Sequence, residues 1–413
     1  MKITDIRAFL LSCPMPEPIP LPFFGGVRTI YKRDALYVKV TTDSGITGFG
    51  PGAASEPVAE MINTTLRELL IGEDPNAPDT IRQKVDGLGS SVAVAFGAVN
   101  VALYDIRGKT EGCPVYELLG GKLQDRIRLY GSAGMYQSAE EYAAEAKTVV
   151  DQKGFTAYKY RPALGPEEDL RTVHLMREAV GPDVGLCLDA HGWFRMGDRS
   201  YTPELVEQMA NDISDLGITW LEEPLPPADR DAYSELRKKN IVPIAAGEHE
   251  TSHEGFMKLI EGGCVDVVQA DVPHHGGLDS VKAIIVACQE HGLEFAFHNW
   301  GTELETIADA HVGACFPRET AAWLEYPWYA HRGQPVMYPF PLADEILTEP
   351  LAIEGGDLIM SDAPGLGVEI NEDVVSKYPY IKGAWSIFEI DSPRQTLHLS
   401  GDHALVWDAG KHA

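Results

Sequence analysis

The chain has 413 residues and a formal net charge of −28, with 34 Lys and Arg against 62 Asp and Glu. Its length exceeds what one hydrophobic core usually serves and predicts two domains, while its acidity argues against nucleic acid or an anionic membrane as a partner. There is no transmembrane-length apolar run, and no C-x-x-C pair occurs among six cysteines. We therefore expect free thiols in a reducing compartment and a cytoplasmic protein.

Residues 1–128 predict an α+β domain. Strands are expected at 3–11, 35–42 and 46–49, with turn residues between the last two. A segment rich in Pro and Gly, 14–29, predicts a loop that carries Phe23 and Arg28. Helical patterns follow at 57–71, 78–87 and 92–111.

Residues 129–355 show a different pattern, in which short apolar strands alternate with amphipathic helices. This alternation is typical of parallel β/α units and predicts a barrel. Strands are expected near 129–131, 155–160, 184–189, 218–222, 242–247, 265–269, 294–297 and 322–324. The alternation ends near residue 355, and we expect the tail, 356–413, to return to the first domain.

Acidic residues end three successive predicted strands: Asp189, Glu222 and Glu248. Carboxylates at the carboxyl ends of barrel strands converge at the mouth where such barrels carry out chemistry. Three clustered carboxylates repel one another unless a cation lies between them, and hard oxygen ligands favour Mg²⁺. The sequence therefore predicts a magnesium site.

Basic residues end the strand before these. Lys159 and Arg161 are two apart, so they lie on the same face. Each disfavours charge on the other, which predicts a lowered pKa for Lys159 and a role in proton exchange. His191 follows Asp189 by two residues and could act as a general acid or hydrogen-bond the substrate.

A second pair of polar residues ends neighbouring strands farther along. Asp271 is expected near enough to orient the imidazole of His298 and raise its basicity, giving a general base. Glu325 adds a carboxylate to the rim, which could hydrogen-bond a substrate carboxylate if it were protonated. Lesser candidates for substrate contacts are Arg28, His249, Trp300, His274, His275 and Phe23. Nucleotide-binding loops, H-E-x-x-H and a nucleophile elbow are absent from the sequence.

Several motifs together resemble the enolase superfamily, mandelate racemase subgroup. They are Ala102-Leu-Tyr-Asp-Ile-Arg-Gly-Lys109, Leu118-Leu-Gly-Gly-Lys122, Trp220-Leu-Glu-Glu-Pro224, Ala246-Gly-Glu248 and Gly276-Gly277. The resemblance implies an N-terminal α+β capping domain, a (β/α)₇β modified TIM barrel and one essential Mg²⁺. It further implies that Asp189, Glu222 and Glu248 are the metal ligands, that Glu223 is not, that Asp271 and His298 form a catalytic dyad, and that Glu325 hydrogen-bonds the substrate carboxylate. It also implies a homo-oligomer.

One departure from the subgroup concerns the first barrel strand. The subgroup commonly has Lys-x-Lys, where the second lysine is a base for one face of the substrate; this chain has Lys159-x-Arg161. Arginine stays charged and stabilises anions better than it removes protons, so racemisation by two bases is disfavoured. The stretch from Leu225 through Asp266, with His191, is most similar to acid-sugar dehydratases of the rhamnonate dehydratase type.

The expected reaction is dehydration of a monocarboxylate sugar acid, an aldonate such as rhamnonate or a related acid sugar, to a 2-keto-3-deoxy acid through an enediolate. His298 is the expected base, and His191 or Lys159 protonates the leaving hydroxyl. Three alternatives stay open: a racemase, epimerase or cycloisomerase of the same subgroup, a barrel that binds acid sugars without catalysis, and a metal-dependent hydrolase.

Overall fold

The N-terminal part of the protein is organised around one long β-hairpin. A computed structural model describes residues 1–328 and 340–391 and the backbone of 396–400. The strands β1 (Ile3–Phe23) and β2 (Gly26–Thr42) pair antiparallel, and β3 (Thr47–Gly52) pairs with the opposite edge of β2. The helices are α1 (Glu56–Met61), α2 (Arg67–Leu70), α3 (Pro78–Val85), α4 (Ser90–Glu111) and α5 (Val115–Leu118), with a π-helical turn at Ile62–Leu66 between α1 and α2.

The predicted loop at 14–29 is wrong, because these residues form the distal half of the β1–β2 hairpin. Prolines recur at alternate positions from Pro14 to Pro22, and their lack of an N–H group argued for a loop. However, β1 is an edge strand, where proline is tolerated because no further strand needs the missing donor. A register shift between Pro14 and Ile19 absorbs the irregular part.

The described part of the chain contains a closed barrel of eight parallel strands connected by seven helices, which confirms the (β/α)₇β expectation. Its strands are β4 (Arg126–Met135), β5 (Ala157–Arg161), β6 (Gly185–Asp189), β7 (Ile218–Glu222), β8 (Ile244–Ala246), β9 (Val267–Ala270), β10 (Glu294–Phe297) and β11 (Ala321–Pro327). Its helices are α6 (Ala139–Lys153), α7 (Pro166–Val180), α8 (Pro203–Asp212), α9 (Arg230–Lys238), α10 (His253–Glu261), α11 (Leu278–Glu290) and α12 (Glu303–Gly313), with 3₁₀ turns at Gly197–Arg199 and Ser214–Leu216.

The barrel interior has an apolar floor beneath a polar layer. Ala157, Cys187 and Trp220 belong to one buried cluster that also holds Tyr130 and Trp323. Because side chains alternate along a strand, the residues two positions farther on face the same interior. Those residues are Lys159, Asp189 and Glu222. Strand periodicity therefore places these charged groups inside the barrel, near the carboxyl ends of its strands.

The tail returns to the hairpin, as expected. The segments α13 (Pro341–Glu345), β12 (Ile353–Glu354), β13 (Asp357–Ile359) and α14 (Val374–Lys377) lead to β14 (Ser386–Asp391) and β15 (Thr396–Ser400). β13 pairs with the start of β4, and β14 pairs with the distal half of β2. Residues 329–339, 392–395 and 401–413 of the predicted barrel and tail lie outside the described residues, and the domain limits at 128 and 355 stay predictions.

The hairpin tip is attached to both the tail and the barrel. The φ angle of Gly26 is +153°, and a Cβ there would meet the carbonyl oxygen of Glu389 at 1.9 Å, so only glycine fits. The Phe24 N–H donates to the Ala163 carbonyl at 2.8 Å, which joins the tip to the loop after β5. The distal hairpin therefore lies over the barrel mouth.

Two expectations from composition can be compared with the fold. All six cysteines are free thiols, and four of them are buried: Cys13, Cys187, Cys264 and Cys288. Among the helices that the structure describes, none combines the length and the apolar composition that a membrane crossing needs.

Candidate active site

The three carboxylates predicted as metal ligands meet at the barrel mouth. Asp189 and Glu222 end β6 and β7 and are register partners, and Glu248 lies two residues beyond β8. One oxygen from each of the three lies within 4.8 Å of the others. The strands thus bring these three side chains together in one small volume, as their positions in the sequence predicted.

Glu222 is the most firmly held of the three. Lys159 Nζ donates to its Oε1 at 2.7 Å, and Trp220 Nε1 and Gln269 Nε2 donate to its Oε2 at 2.9 and 2.7 Å. Burial and the negative charges of Asp189 and Glu248 raise the pKa of Glu222 to about 8, against the lowering effect of Lys159. The carboxylates therefore repel one another, and a cation among them would relieve that repulsion.

The donor set fits Mg²⁺. Asp189, Glu222 and Glu248 offer only carboxylate oxygens, the hard ligands that Mg²⁺ prefers. Two further groups of potential donors in the described chain each include a histidine, namely Glu223 with Glu248 and His249, and Asp271 with His274 and Glu305. Imidazole nitrogen suits Zn²⁺ and other transition metals better, so the all-oxygen group is the one suited to magnesium.

Lys159 and Arg161 lie beside the carboxylates, but the pKa expected for Lys159 is wrong. Lys159 is fully buried, and its Nζ lies 3.4 Å from Asp189 Oδ2 and 3.0 Å from Glu325 Oε1. Burial lowers its pKa, yet Glu222, Glu325 and Asp189 outweigh both burial and Arg161 and raise the pKa well above its usual value. Lys159 is held as a cation, which suits charge stabilisation better than proton removal.

His191 is bonded to the first of the carboxylates. Its Nδ1 lies 2.5 Å from Asp189 Oδ1, and its side chain lines the cavity above the carboxylates. Burial alone would raise the pKa of Asp189, but His191, Lys159 and Arg161 hold it well below its usual range. A proton on Nδ1 that is donated to Asp189 leaves Nε2 as the nitrogen that can serve a ligand in the cavity.

Asp271 and His298 come together as a hydrogen-bonded pair. His298 Nδ1 lies 2.7 Å from Asp271 Oδ2, and His298 Nε2 lies 3.3 Å from Glu248 Oε2. The other oxygen of Asp271 accepts hydrogen bonds from His274 N and Nδ1, both at 2.8 Å, which fixes its orientation. Burial lowers the pKa of His298, but Glu248 and Asp271 outweigh it and raise the pKa well above its usual value.

Glu325 is fully buried in the barrel and is held by several polar contacts. It accepts hydrogen bonds at Oε2 from the Tyr130 hydroxyl at 3.1 Å and the Asn299 N–H at 3.2 Å, and its Oε1 lies 3.4 Å from Arg161 Nη2. Burial raises its pKa, but Lys159, His298 and Arg161 hold the pKa below its usual value. The protonated state needed for donation to a substrate carboxylate is therefore disfavoured here.

His249 connects the carboxylates to an arginine that the sequence analysis did not consider. Its Nδ1 lies 2.6 Å from Glu223 Oε2 and 3.3 Å from Glu248 Oε1, while Arg195 Nη2 donates to its Nε2 at 2.9 Å. Glu223 reaches His249 because its φ of 42° turns the chain out of the strand after Glu222. No sequence motif indicated a role for Arg195, which lies on the long loop after β6.

The β1–β2 hairpin and the tail contribute the upper wall of the cavity. Arg28 was expected on a loop, but it lies on β2 and is 1% exposed, with its guanidinium 4.6 Å from the Phe388 ring centroid. It lines the cavity, as do Trp300 and Arg33, whose Nη2 donates to the Trp300 carbonyl at 2.9 Å. Phe23 belongs instead to the apolar core and stacks obliquely on Tyr136.

Two further buried acids beside the dyad also escaped the sequence analysis. Glu305 lies on α12 and lines the cavity, and its burial together with the charge of Asp271 raises its pKa well above normal. Asp309 lies one turn farther along α12 and accepts the Val272 N–H at 2.8 Å. The sequence did contain an indication of these two residues, because acidic side chains are unusual within the largely apolar pattern that follows His298.

The chain is similar to known proteins along most of its length. The family model described as "Enolase C-terminal domain-like" matches residues 141–374, and the model of the "Mandelate racemase / muconate lactonizing enzyme, N-terminal domain" matches residues 10–120. Together the two models span both the hairpin domain and nearly all of the barrel.

Individual relatives differ in the activity that they are named for. A D-galactarolactone cycloisomerase of Agrobacterium fabrum is 28% identical, covering 92% of this chain and 99% of its own. An L-rhamnonate dehydratase of Saccharopolyspora erythraea is 29% identical, covering 84% and 85%. A crystal structure of an enolase superfamily member from Polaromonas sp. JS666 is 30% identical, covers 93% and 99%, and superimposes with a TM-score of 0.79.

Proposed function

This chain belongs to the enolase superfamily, in its mandelate racemase subgroup, and on that premise we propose that it dehydrates a sugar acid to a 2-keto-3-deoxy acid. The observation that carries the proposal is an asymmetry across the cavity. One wall holds a basic imidazole, His298, while the facing strand holds Arg161 where the subgroup commonly has a second lysine. Removal of a proton by one base, followed by loss of a hydroxyl, suits this arrangement.

In the proposed reaction the neutral form of His298 removes the proton next to the substrate carboxylate through Nε2, and Asp271 stabilises the imidazolium that forms. The charge of Glu248 favours the imidazolium before reaction, and a cation bound by Glu248 would offset that effect. Lys159 and Arg161 stabilise the negative charge of the enediolate, because both are buried cations beside the reacting volume. A Mg²⁺ ion held by Asp189, Glu222 and Glu248 would neutralise part of the same developing charge. Preorganised charges of this kind are usually the largest contribution to such a reaction.

His191 is the proposed acid for the departing hydroxyl. It lines the cavity, whereas Lys159 is fully enclosed by carboxylates, so His191 is the better placed of the two candidates. Glu325 then has a positioning role, since its Oε1 contacts both Lys159 and Arg161. The loss of water leaves an enol that becomes the 2-keto product.

The test is direct. The protein is incubated with Mg²⁺ and a set of aldonic and aldaric acids, and 2-keto acids are detected with semicarbazide. Formation of a 2-keto-3-deoxy acid from at least one of them is the expected result. Failure to form a keto acid from any member of a broad set would contradict the proposal.

An isomerase is the second candidate, because the Agrobacterium relative is named as a cycloisomerase. Such an enzyme would exchange solvent deuterium into the carbon next to the carboxylate without forming a keto acid. Binding without turnover would indicate a non-catalytic acid-sugar protein, and none of the described residues at the site favours a hydrolase. The cytoplasmic location and the homo-oligomeric state expected from the sequence stay predictions.

A further inference from the structure

Arg195 is a buried cation in the wall of the candidate active site. It lies on the loop between β6 and α8, is 6% exposed, and lines the same cavity as Asp189 and Glu248. Its Nη2 donates to His249 Nε2 at 2.9 Å. An imidazole carries no negative charge, so this contact does not neutralise the guanidinium of Arg195.

The remaining surroundings of Arg195 do not neutralise it. Within residues 1–328 and 340–391, no carboxylate oxygen forms an ion pair with its nitrogens, and its buried Nε has no hydrogen-bond acceptor. The centroid of the Phe194 ring lies 5.5 Å from the Arg195 Cζ. A buried charge without a counter-ion is unfavourable, and a ligand with an anionic group in the cavity would supply the missing partner.

Two more guanidinium groups line the cavity from the other side. Arg28 and Arg33 lie on β2, both are at most 3% exposed, and both stack on Trp385 at 4.7 Å. The hairpin domain and the barrel therefore each contribute positive charge to one cavity in a chain whose net charge is −28. Acidic side chains line the same cavity, namely Asp34, Asp189, Glu248, Asp271 and Glu305, so an anionic group of a ligand is attracted to the guanidinium groups and not to the cavity as a whole.

The position of Arg195 determines which end of a ligand it would meet. His249 separates it from the candidate metal ligands: one ring nitrogen accepts from Arg195, and the other lies 3.3 Å from Glu248 Oε1. A ligand carboxylate that is bound beside Asp189, Glu222 and Glu248 would therefore lie about one imidazole ring away from the guanidinium of Arg195. Because the imidazole of His249 lies between the two groups, the anion at Arg195 is assigned to another part of the ligand.

We propose that the substrate is a dicarboxylic sugar acid whose second carboxylate, at the end of the carbon chain distal to the metal ligands, is bound by Arg195. This rests on the proposed function and revises the expectation of a monocarboxylate. Arg28 and Arg33 contribute positive charge to the same cavity from the hairpin side. Bidentate pairing with a carboxylate is what a planar guanidinium does best.

The experiment compares sugar acids that differ only at the distal carbon. D-Gluconate is paired with D-glucarate and D-galactonate with galactarate, and kcat/KM is measured with Mg²⁺ for the wild type, Arg195→Gln and the control Arg171→Gln. Arg171 is an exposed arginine of α7. The expected result is that the diacid is preferred, and that Arg195→Gln lowers kcat/KM for the diacid by about 10-fold to 100-fold, mainly through KM. The monoacid should change much less, and Arg171→Gln should behave as the wild type.

Thermal unfolding distinguishes ligand binding from a structural role. Removal of an uncompensated buried charge should leave the melting temperature of the ligand-free protein unchanged or higher, whereas loss of a structural contact would lower it. Preference for the monoacid, or an equal loss on both acids in Arg195→Gln, would overturn the inference while leaving dehydration intact. Preference for 6-phospho-D-gluconate over the diacid would also overturn it, because the distal group would then be a phosphate.

A failure of the proposed function is recognised separately. If no acid gives a keto product, calorimetric titration with the same pairs still measures binding. Tighter binding of the diacid, lost in Arg195→Gln, would support the distal carboxylate site, and equal binding of both acids would contradict it.

Discussion

His298 Nδ1 lies 2.7 Å from Asp271 Oδ2, although the two residues are 27 positions apart in the sequence. They meet because β9 and β10 are parallel neighbours in register, so that both residues leave the barrel at the same edge. Asp271 is held in turn by the N–H and the ring of His274. The imidazole is thereby fixed with Nε2 toward the candidate metal ligands.

Replacement of His298 tests the general base. His298→Asn should fold and bind Mg²⁺ but lose at least about 100-fold in kcat, because a positioned base contributes that much or more. The exposed His253 at the start of α10 provides the matched control, and His253→Asn should keep normal turnover. Near-normal dehydration by His298→Asn would rule out this base.

Arg161→Lys tests why the facing strand cannot remove a proton. A lysine can lose its proton where an arginine cannot. When the C2 epimer of the substrate is supplied, the variant should therefore exchange its C2 proton for solvent deuterium, whereas the wild type should leave this epimer unchanged. Exchange is followed by proton NMR in D₂O. The exposed Arg318 is the control position, where the same substitution should have no effect. Equal exchange by the wild type and Arg161→Lys would show that this residue does not set the facial preference.

Substitution of a carboxylate tests the metal site. Glu222→Gln should weaken Mg²⁺ binding by more than about 10-fold in calorimetry, since it removes a charged oxygen from the cluster. Chelation should abolish keto-acid formation by the wild type, and added Mg²⁺ should restore it. Glu167→Gln, at an exposed position of α7, should bind the ion normally. Unaltered affinity in Glu222→Gln would remove this residue from the ligand set.

His311 should make the protein sensitive to acid. Tyr116 N donates to its Nδ1 at 3.3 Å and its Nε2 lies 3.1 Å from the Leu366 carbonyl, an arrangement that requires the neutral ring. Burial lowers its pKa from 6.5 to about 4. The unfolded chain therefore binds a proton first as the pH falls, and His311 should cost about 3 kcal/mol of unfolding free energy between pH 6.5 and 4.

The measurement for His311 is urea unfolding at several pH values. His311→Gln should lose stability at pH 7.5 but show a smaller further loss between pH 6.5 and 4 than the wild type. The exposed His174 is the control, and His174→Gln should keep the wild-type pH dependence. Identical pH profiles for the wild type and His311→Gln would contradict the assignment.

A pair of glycines tests the attachment of the tail. Gly26→Ala should destabilise the protein by about 2–4 kcal/mol, because the new Cβ would clash with the Glu389 carbonyl oxygen and because the φ of this position is unfavourable for alanine. Gly45 also has a positive φ, +84°, but no atom lies within 4 Å of the position of its Cβ. Gly45→Ala should therefore cost only about 1 kcal/mol. Equal costs would mean that the contact with β14 contributes nothing.

The sequence alone predicted the barrel and the positions of its polar groups. Strands near 184–189 and 218–222 were placed to within a residue of β6 and β7, because buried parallel strands are short apolar runs. Asp189, Glu222 and Glu248 could be placed together before any coordinates, since strand periodicity and a common direction bring strand ends to one rim.

Tertiary structure decided what depends on contacts between distant segments. The strand character of 14–29 depends on the pairing of β1 with β2 and, at 26–30, on pairing with β14, more than 350 residues away, whereas the local proline content predicted a loop. The charge state of Lys159 depends on Glu222 and Glu325 as well as Arg161. Arg195 carries no local motif, and only the folded chain shows that it is buried beside His249 without a counter-ion among the described residues. Periodicity fixes the direction of a side chain within its strand, whereas its electrostatic surroundings are supplied by residues from the whole chain.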